Sequence, residues 1–171
     1  MTPTTATDRF TTAHIEEADP AGLVVTRDFA ASPEAVWRAF TDPALIRRWM
    51  TGYPGWSMPV CEIDPRVGGS YRYEWREDAT GKGFGFFGDF REVDAPRRLV
   101  HKETFDPGTV GGDMGSSIVS TDFTAVPQGT RMVMRIDYDS KATLQAALAT
   151  GMTDGMEATY SSLDGVLSDG G

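Results

Sequence analysis

The chain has 171 residues, enough for one domain with a substantial core and short of two of ordinary size. Its 16 Lys and Arg against 25 Asp and Glu leave a formal charge of −9, so a nucleic-acid backbone would be repelled over most of the surface. One cysteine, Cys61, excludes an internal disulfide, and one cysteine with two histidines leaves no zinc cluster of the usual spacing; no apolar run is long enough to span a membrane.

Residues 1–14 are polar and Thr-rich and are expected to form a disordered tail without the make-up of a secretory signal. His14 falls in that tail and is expected to have no specific role. Residues 15–171 read as a single domain, and the lone cysteine suits the cytoplasm. "LVVTRDFAA" is a strand. In "ASPEAVWRAFTDP", Ser32 is placed to cap a helix whose first residue is Pro33, with Val36, Trp37 and Phe40 at helical spacing. Asp42 and Pro43 end that helix and begin a short second one, "ALIRRWM", and "TGYPGW" is a turn.

From about 58 to 139 the pattern alternates with period 2, as an antiparallel sheet with one dry face requires. Tyr71, Tyr73 and Trp75 share a face, with Arg72, Glu74 and Arg76 opposite. Phe84, Phe86, Gly88 and Phe90 follow on the next strand, then Leu99, His101, Glu103 and Phe105, and later Met132, Met134, Ile136 and Tyr138. "EDATGKG", "DAPR" and "VPQG" are hairpin joins, while "DPGTVGGDMG" is a longer surface loop. After Asp139 the period becomes 3.6. Ser140 is placed to cap one long amphipathic helix, with Leu144, Leu148, Met152, Met156, Leu163 and Val166 on its apolar stripe and Asp154, Glu157, Ser161 and Asp164 opposite.

Gly83-x-Gly85-x-x-Gly88 matches the dinucleotide fingerprint as a string. That motif needs a strand before the glycines and a helix opening on them. Here the run continues as a strand, so the glycines are expected to mark a bulge or sharp bend. "GWSMP" lacks the last glycine and the strand–turn–helix setting of a nucleophile elbow.

His101 and Glu103 are the most informative pair, two apart on a face that should be dry. A buried carboxylate must be paired, be neutral or line a wet cavity. The pair therefore reads as polar anchors or acid–base groups in a pocket, or as a structural pair; a metal would lack a third ligand. The aromatic set on the neighbouring strands is either plain core or the wall of a cavity. Gly151 and Gly155 cost helix stability, which implies close approach of the sheet backbone or space left for a ligand.

"RDFAASPEAVWRAFTDPALIRRWM", "CEIDPRVGGSYRYEW" and "ATGMTDGMEATYSSLDGVL" resemble the helix-grip proteins of the SRPBCC superfamily, which includes the START and birch-pollen-allergen-like proteins. The resemblance covers about residues 20–168. It is strongest to the branch related to the C-terminal domain of the activator of the heat-shock-protein-90 ATPase, and "KETFD", Lys102 to Asp106, corresponds to a string found in similar sequences. It implies an α+β fold: a curved antiparallel sheet around a long C-terminal helix, two short helices after the first strand, and a hydrophobic cavity between helix and sheet.

The expected function is binding of a small apolar or amphipathic molecule, with no cofactor and no metal. Tyr71, Tyr73, Trp75, Phe86, His101, Glu103, Met134, Gly151, Met152 and Met156 are the expected lining. The loop 106–115 and the "TGYPGW" turn are the expected gate. Two alternatives stand beside this: a cyclase- or hydrolase-like enzyme using Glu103 and His101 as acid–base groups, and a chaperone-associated interaction module. A homodimer is a possible assembly.

Overall fold

The order of elements is β1 (His14–Ala18), β2 (Gly22–Phe29), α1 (Pro33–Thr41), α2 (Pro43–Met50), β3 (Trp56–Ile63), β4 (Ser70–Glu77), β5 (Gly83–Asp94), β6 (Arg98–Asp106), β7 (Ser116–Val126), β8 (Gly129–Tyr138), α3 (Lys141–Ala149) and α4 (Met152–Ser168). The computed structural model describes residues 10–51, 54–109 and 115–170. All eight strands form one antiparallel sheet in the order β1-β2-β8-β7-β6-β5-β4-β3. This is the expected α+β helix-grip architecture.

Local signals place the helices where the sequence does. The Ser32 hydroxyl accepts from Ala35 N, Pro33 opens α1, and the Asp42 carboxylate accepts from Ala44 N at the start of α2. The apolar faces of α1, α2 and α4 meet the sheet in one cluster that includes Val25, Phe29, Trp49, Met132 and Tyr160. α3 seals a second cluster around Leu23, Val119, Ile136 and Leu144. The helices therefore lie on the face shared by Leu23, Val25 and Phe29.

Two expectations are corrected. The C-terminal helix is not continuous: α3 starts at the Ser140 cap as predicted, but Gly151 takes φ 77° and α4 restarts after it. Glycine adopts this left-handed geometry without the penalty a Cβ brings, which ends the first helix. The 3.6 period runs through the break, so hydrophobic spacing alone does not reveal it. Secondly, a strand precedes the first expected one, so the two short helices follow β2.

Within the expected tail, residues 1–9 lie outside the described residues. From Phe10 the chain is tied down: Phe10 N donates to the Asp28 carboxylate at 3.0 Å and His14 begins β1. His14 pairs with Glu16 at the exposed edge. Of the expected gate, residues 52–53 and 110–114 likewise lie outside the described residues.

The strand glycines answer to backbone proximity. Gly83, Gly85 and Gly88 all lie inside β5, with no helix opening on them. A Cβ at Gly88 would run into the Lys102 carbonyl of β6, and one at Gly83 into the Trp75 carbonyl of β4. The bulge itself falls two to four residues beyond Gly88, between Phe90 and Glu92. Gly88→Ala is expected to lower unfolding free energy by about 2 kcal/mol through this overlap. Gly165→Ala, on an α4 surface with nothing within 4 Å, is expected to raise it by about 0.5–1 kcal/mol. Urea denaturation of the two variants checks the contrast.

Candidate functional site

Strand register decides which side chains face the helices. Leu23 pairs with Ile136, Ile136 with Val119, and Val119 with His101. The first three are buried in one cluster beneath α3, so His101 lies on the inner face. Glu103, two residues on, shares that face and sits opposite the buried Ser117 of β7. The predicted face of β6 is the observed one.

On β4 and β5 the aromatic side chains form a continuous wall. Tyr71 and Tyr73 have ring centroids 5.0 Å apart, and the His101 ring stands edge-on to Tyr71 at 5.1 Å. Trp75 and Phe86 meet at 6.0 Å, and Phe86 reaches Phe105 at 5.4 Å. The Tyr71 hydroxyl donates to the Lys102 carbonyl at 3.2 Å, passing over the space that Gly88 leaves open. Trp75 Nε1 donates to the Met50 carbonyl at the end of α2.

On the same side of the sheet as the helices, Met134 and Met156 link the two clusters beneath α3 and α4, and Met152 packs in the α3 cluster. The Tyr138 hydroxyl donates to the Met152 sulfur at 3.4 Å and the Tyr160 hydroxyl to the Met134 sulfur at 3.9 Å. Of the ten residues expected to line a cavity, nine belong to these aromatic and methionine groups or to the inner face of β6. Gly151 does not: it is exposed at the α3–α4 junction, where its left-handed geometry accounts for the glycine.

Glu103 stands between the groups. Its charge acts on Tyr71 and Tyr73 of β4, Tyr138 of β8 and Tyr160 of α4, adding to the larger effect of burial in raising each phenol. Burial alone pushes the Glu103 carboxyl from 4.5 up to about 7. Burial pushes His101 from 6.5 down to about 4, against a weaker upward pull from Asp89. Both groups are neutral over a shared range of mildly acid pH. His101 Nε2 lies 3.9 Å from Glu103 Oε2, beyond hydrogen-bond length, and buried His101 Nδ1 has no hydrogen-bond partner among the described residues.

The buried apolar residues described group into four clusters joined through partly buried side chains: Met134 and Met156 join the first two, Met50 and Trp37 reach from the first to the other two, and Ile63 and Tyr73 join those. The Glu103 side chain keeps 28% of its surface accessible and His101 16%, although burial dominates the titration of both.

Tyr160 and Ser117 were not among the expected site residues. Tyr160 continues the Met152–Met156 ladder by four residues and precedes buried Leu163 by three, a spacing that could have found it. Ser117 follows only from the β6–β7 register.

Two clefts are described elsewhere, and none of the ten residues lines either. One, of about 470 Å³, lies beside α4 and includes Arg27, Asp28, Gln128 and Asp164. The five N–H groups of Arg27 are all engaged: two to Glu157, two to Asp164 and one to the Asp28 carbonyl. The Asp28 carboxylate is held by Arg131, Gln128 and Phe10 N. This is a structural clamp between β2 and α4. The other cleft, of about 180 Å³, lies at the β4–β5 hairpin end.

Among the described residues no three His, Cys, Asp or Glu side chains could hold a metal, and no helix is long and apolar enough to cross a membrane. Val67 and Phe87 are the only large hydrophobic side chains described as exposed, far from a broad docking patch.

Comparisons with known proteins agree with the geometry. A Rhodobacter sphaeroides protein of known structure shares 32% identity over 92% of this chain and 99% of its own, with a TM-score of 0.84. An AHSA1-like protein from Aeromonas hydrophila shares 26% identity over 85% of this chain and 94% of its own, with a TM-score of 0.62. Protein Ms6760 from Mycobacterium smegmatis, at 24% identity and a TM-score of 0.79 over 91% and 96% of the two chains, shares the fold. No curated protein matches. The sequence profile described as "Activator of Hsp90 ATPase homolog 1-like protein" covers residues 30–168, and the chain belongs to that family.

Proposed function

We propose that the protein binds one small, largely apolar molecule between the sheet and α4, with Glu103 and His101 orienting its polar end. One observation carries this reading: a carboxyl group shifted by burial alone, surrounded by groups from β4, β8 and α4, still has over a quarter of its side chain accessible. Accessible surface deep inside a fold implies a hollow, and an apolar hollow with a few convergent polar groups is the usual form of a ligand site. The aromatic wall supplies the body of that site, and Met134, Met152 and Met156 supply an adaptable opposite side.

Titration of the full chain with an uncharged solvatochromic dye is expected to show saturable binding at one site, with a blue shift. Met156→Trp, which fills the space beneath α4, is expected to weaken it about tenfold or more. Met152→Phe should act in the same direction. Equal binding by both variants and the parent chain, or none by the parent, would sink the reading.

A catalytic use of the same site is favoured by one specific feature, the carboxyl near neutrality, which is where a general acid or base works best. It requires Glu103→Gln to abolish turnover of a bound substrate, whereas an anchor changes affinity alone.

A further inference from the structure

We propose that the polar end of the bound molecule is a single uncharged hydroxyl on an aromatic or fused-ring body, and that the site rejects a carboxylate of the same shape. The inference rests on the binding reading above and adds the chemical class. His101 Nε2 and Glu103 Oε2 are 3.9 Å apart, too far to bond each other. One oxygen about 2.8 Å from each fits between them, accepting from an imidazole N–H and donating to the carboxylate. A hydroxyl offers that combination of one donor and one acceptor.

The tautomer this requires is the one the surroundings favour. His101 is neutral, so one ring nitrogen carries a proton and the other does not. A carboxylate beside Nε2 favours the proton there, and leaves Nδ1, which has no partner among the described residues, as the bare acceptor.

The charges facing the pair exclude an anion. On β6 there is His101 itself; Tyr71 and Tyr73 face Glu103 from β4, Tyr138 from β8, and Tyr160 from α4. Ser117 is opposite on β7. The further charged group acting on His101 and Tyr71 is Asp89, itself an anion. Among the described residues the basic side chain within 4.0 Å of Glu103 is His101, which is neutral, and no arginine or lysine shifts the titration of Glu103. A ligand carboxylate would meet an ionised Glu103 in a poorly solvated space with no compensating cation. The rings of Tyr71, Tyr73, Trp75 and Phe86 suit a flat, unsaturated body.

The test uses matched probes on the full chain by calorimetry at about pH 8, where Glu103 is ionised: naphthalene, naphthol and naphthoic acid. Naphthol is expected to bind about tenfold or more tighter than naphthalene or naphthoate. Glu103→Leu should erase the advantage of naphthol over naphthalene, and Glu103→Gln, which keeps an acceptor, should retain it while improving naphthoate. Acidification to about pH 5.5 should narrow the gap between naphthol and naphthoate as Glu103 takes up its proton. Naphthoate binding as tightly as naphthol, or a naphthol advantage untouched in Glu103→Leu, overturns the proposal and leaves the cavity standing. Failure of naphthalene and naphthol alike, with the fold intact by circular dichroism, overturns both readings.

Discussion

Replacing both carboxylates that hold Arg27, in the double variant Glu157→Gln/Asp164→Asn, is expected to cost about 4 kcal/mol of unfolding free energy. Arg27 lies on the inner face of β2 with 2% of its side chain accessible, its guanidinium 5.0 Å from the Phe29 ring centre. Both carboxylates of α4 bind it through two hydrogen bonds each. Either one alone still neutralises the cation, so each single substitution should cost only about 1–2 kcal/mol, and the double should exceed their sum. With both gone, a charge buried between sheet and helix has only neutral acceptors.

The reverse substitution should be milder. Arg27→Met leaves Glu157 and Asp164 without their cation, but their side chains are 32% and 46% accessible, and water can take over. A loss of about 1–2 kcal/mol is expected. Equilibrium denaturation of the four chains decides it: additive singles, or a methionine variant as unstable as the double, would mean that Arg27 is not the desolvated partner. Acid should mimic the Glu157→Gln variant. Burial pushes Glu157 up, but the bonds from Arg27 and from Ala13 N outweigh it and hold the carboxyl below 4.5. A depressed carboxyl stabilises the fold above its unfolded value, and that contribution is lost as pH falls through the folded one.

This clamp shows where sequence reading stops. Arg27 has the same strand parity as Leu23, Val25 and Phe29, so its inward direction was legible in "LVVTRDF". What it meets was not, because Glu157 lies 130 residues further along the chain and its charge placed it on the solvent side of a helical wheel. The inner face of β6 was legible for the opposite reason: period-2 alternation is strict, and Leu99, His101, Glu103 and Phe105 follow it without exception. Strand β1, "HIEEA", is short, largely charged and at the sheet edge, so it carries no apolar alternation to read. The helix break was hidden because Gly151 interrupts the backbone hydrogen bonds while the spacing of apolar residues continues across it. The distance of 3.9 Å between His101 and Glu103, on which the proposed selectivity depends, is a matter of side-chain rotamers that residue order does not specify.

Glu103→Gln and His101→Gln are expected to change the pH dependence of stability in opposite directions. Glu103 titrates at about 7 in the fold against 4.5 when unfolded. Between those values the folded chain holds a proton that the unfolded chain has lost, so this group makes stability fall as pH rises through the window. His101 titrates at about 4 in the fold against 6.5 when unfolded. Here the unfolded chain holds the extra proton, so this group makes stability rise with pH through its window. The windows overlap from 4.5 to 6.5, and there the two slopes cancel. Each shift spans about 2.5 units, or about 3 kcal/mol at its full extent. Glu103→Gln should therefore expose a gain of about 3 kcal/mol as pH rises from about 4 to about 6.5, relieve the penalty of the buried carboxylate above about pH 7, and leave the variant more stable than the parent at about pH 8. His101→Gln should expose the mirror-image decline, falling by about 3 kcal/mol from about pH 4.5 to about pH 7. Urea unfolding at closely spaced pH values measures both slopes. Parallel curves for the two variants would show that the pair does not titrate inside the fold, and would remove the electrostatic basis for a polar ligand end held between them.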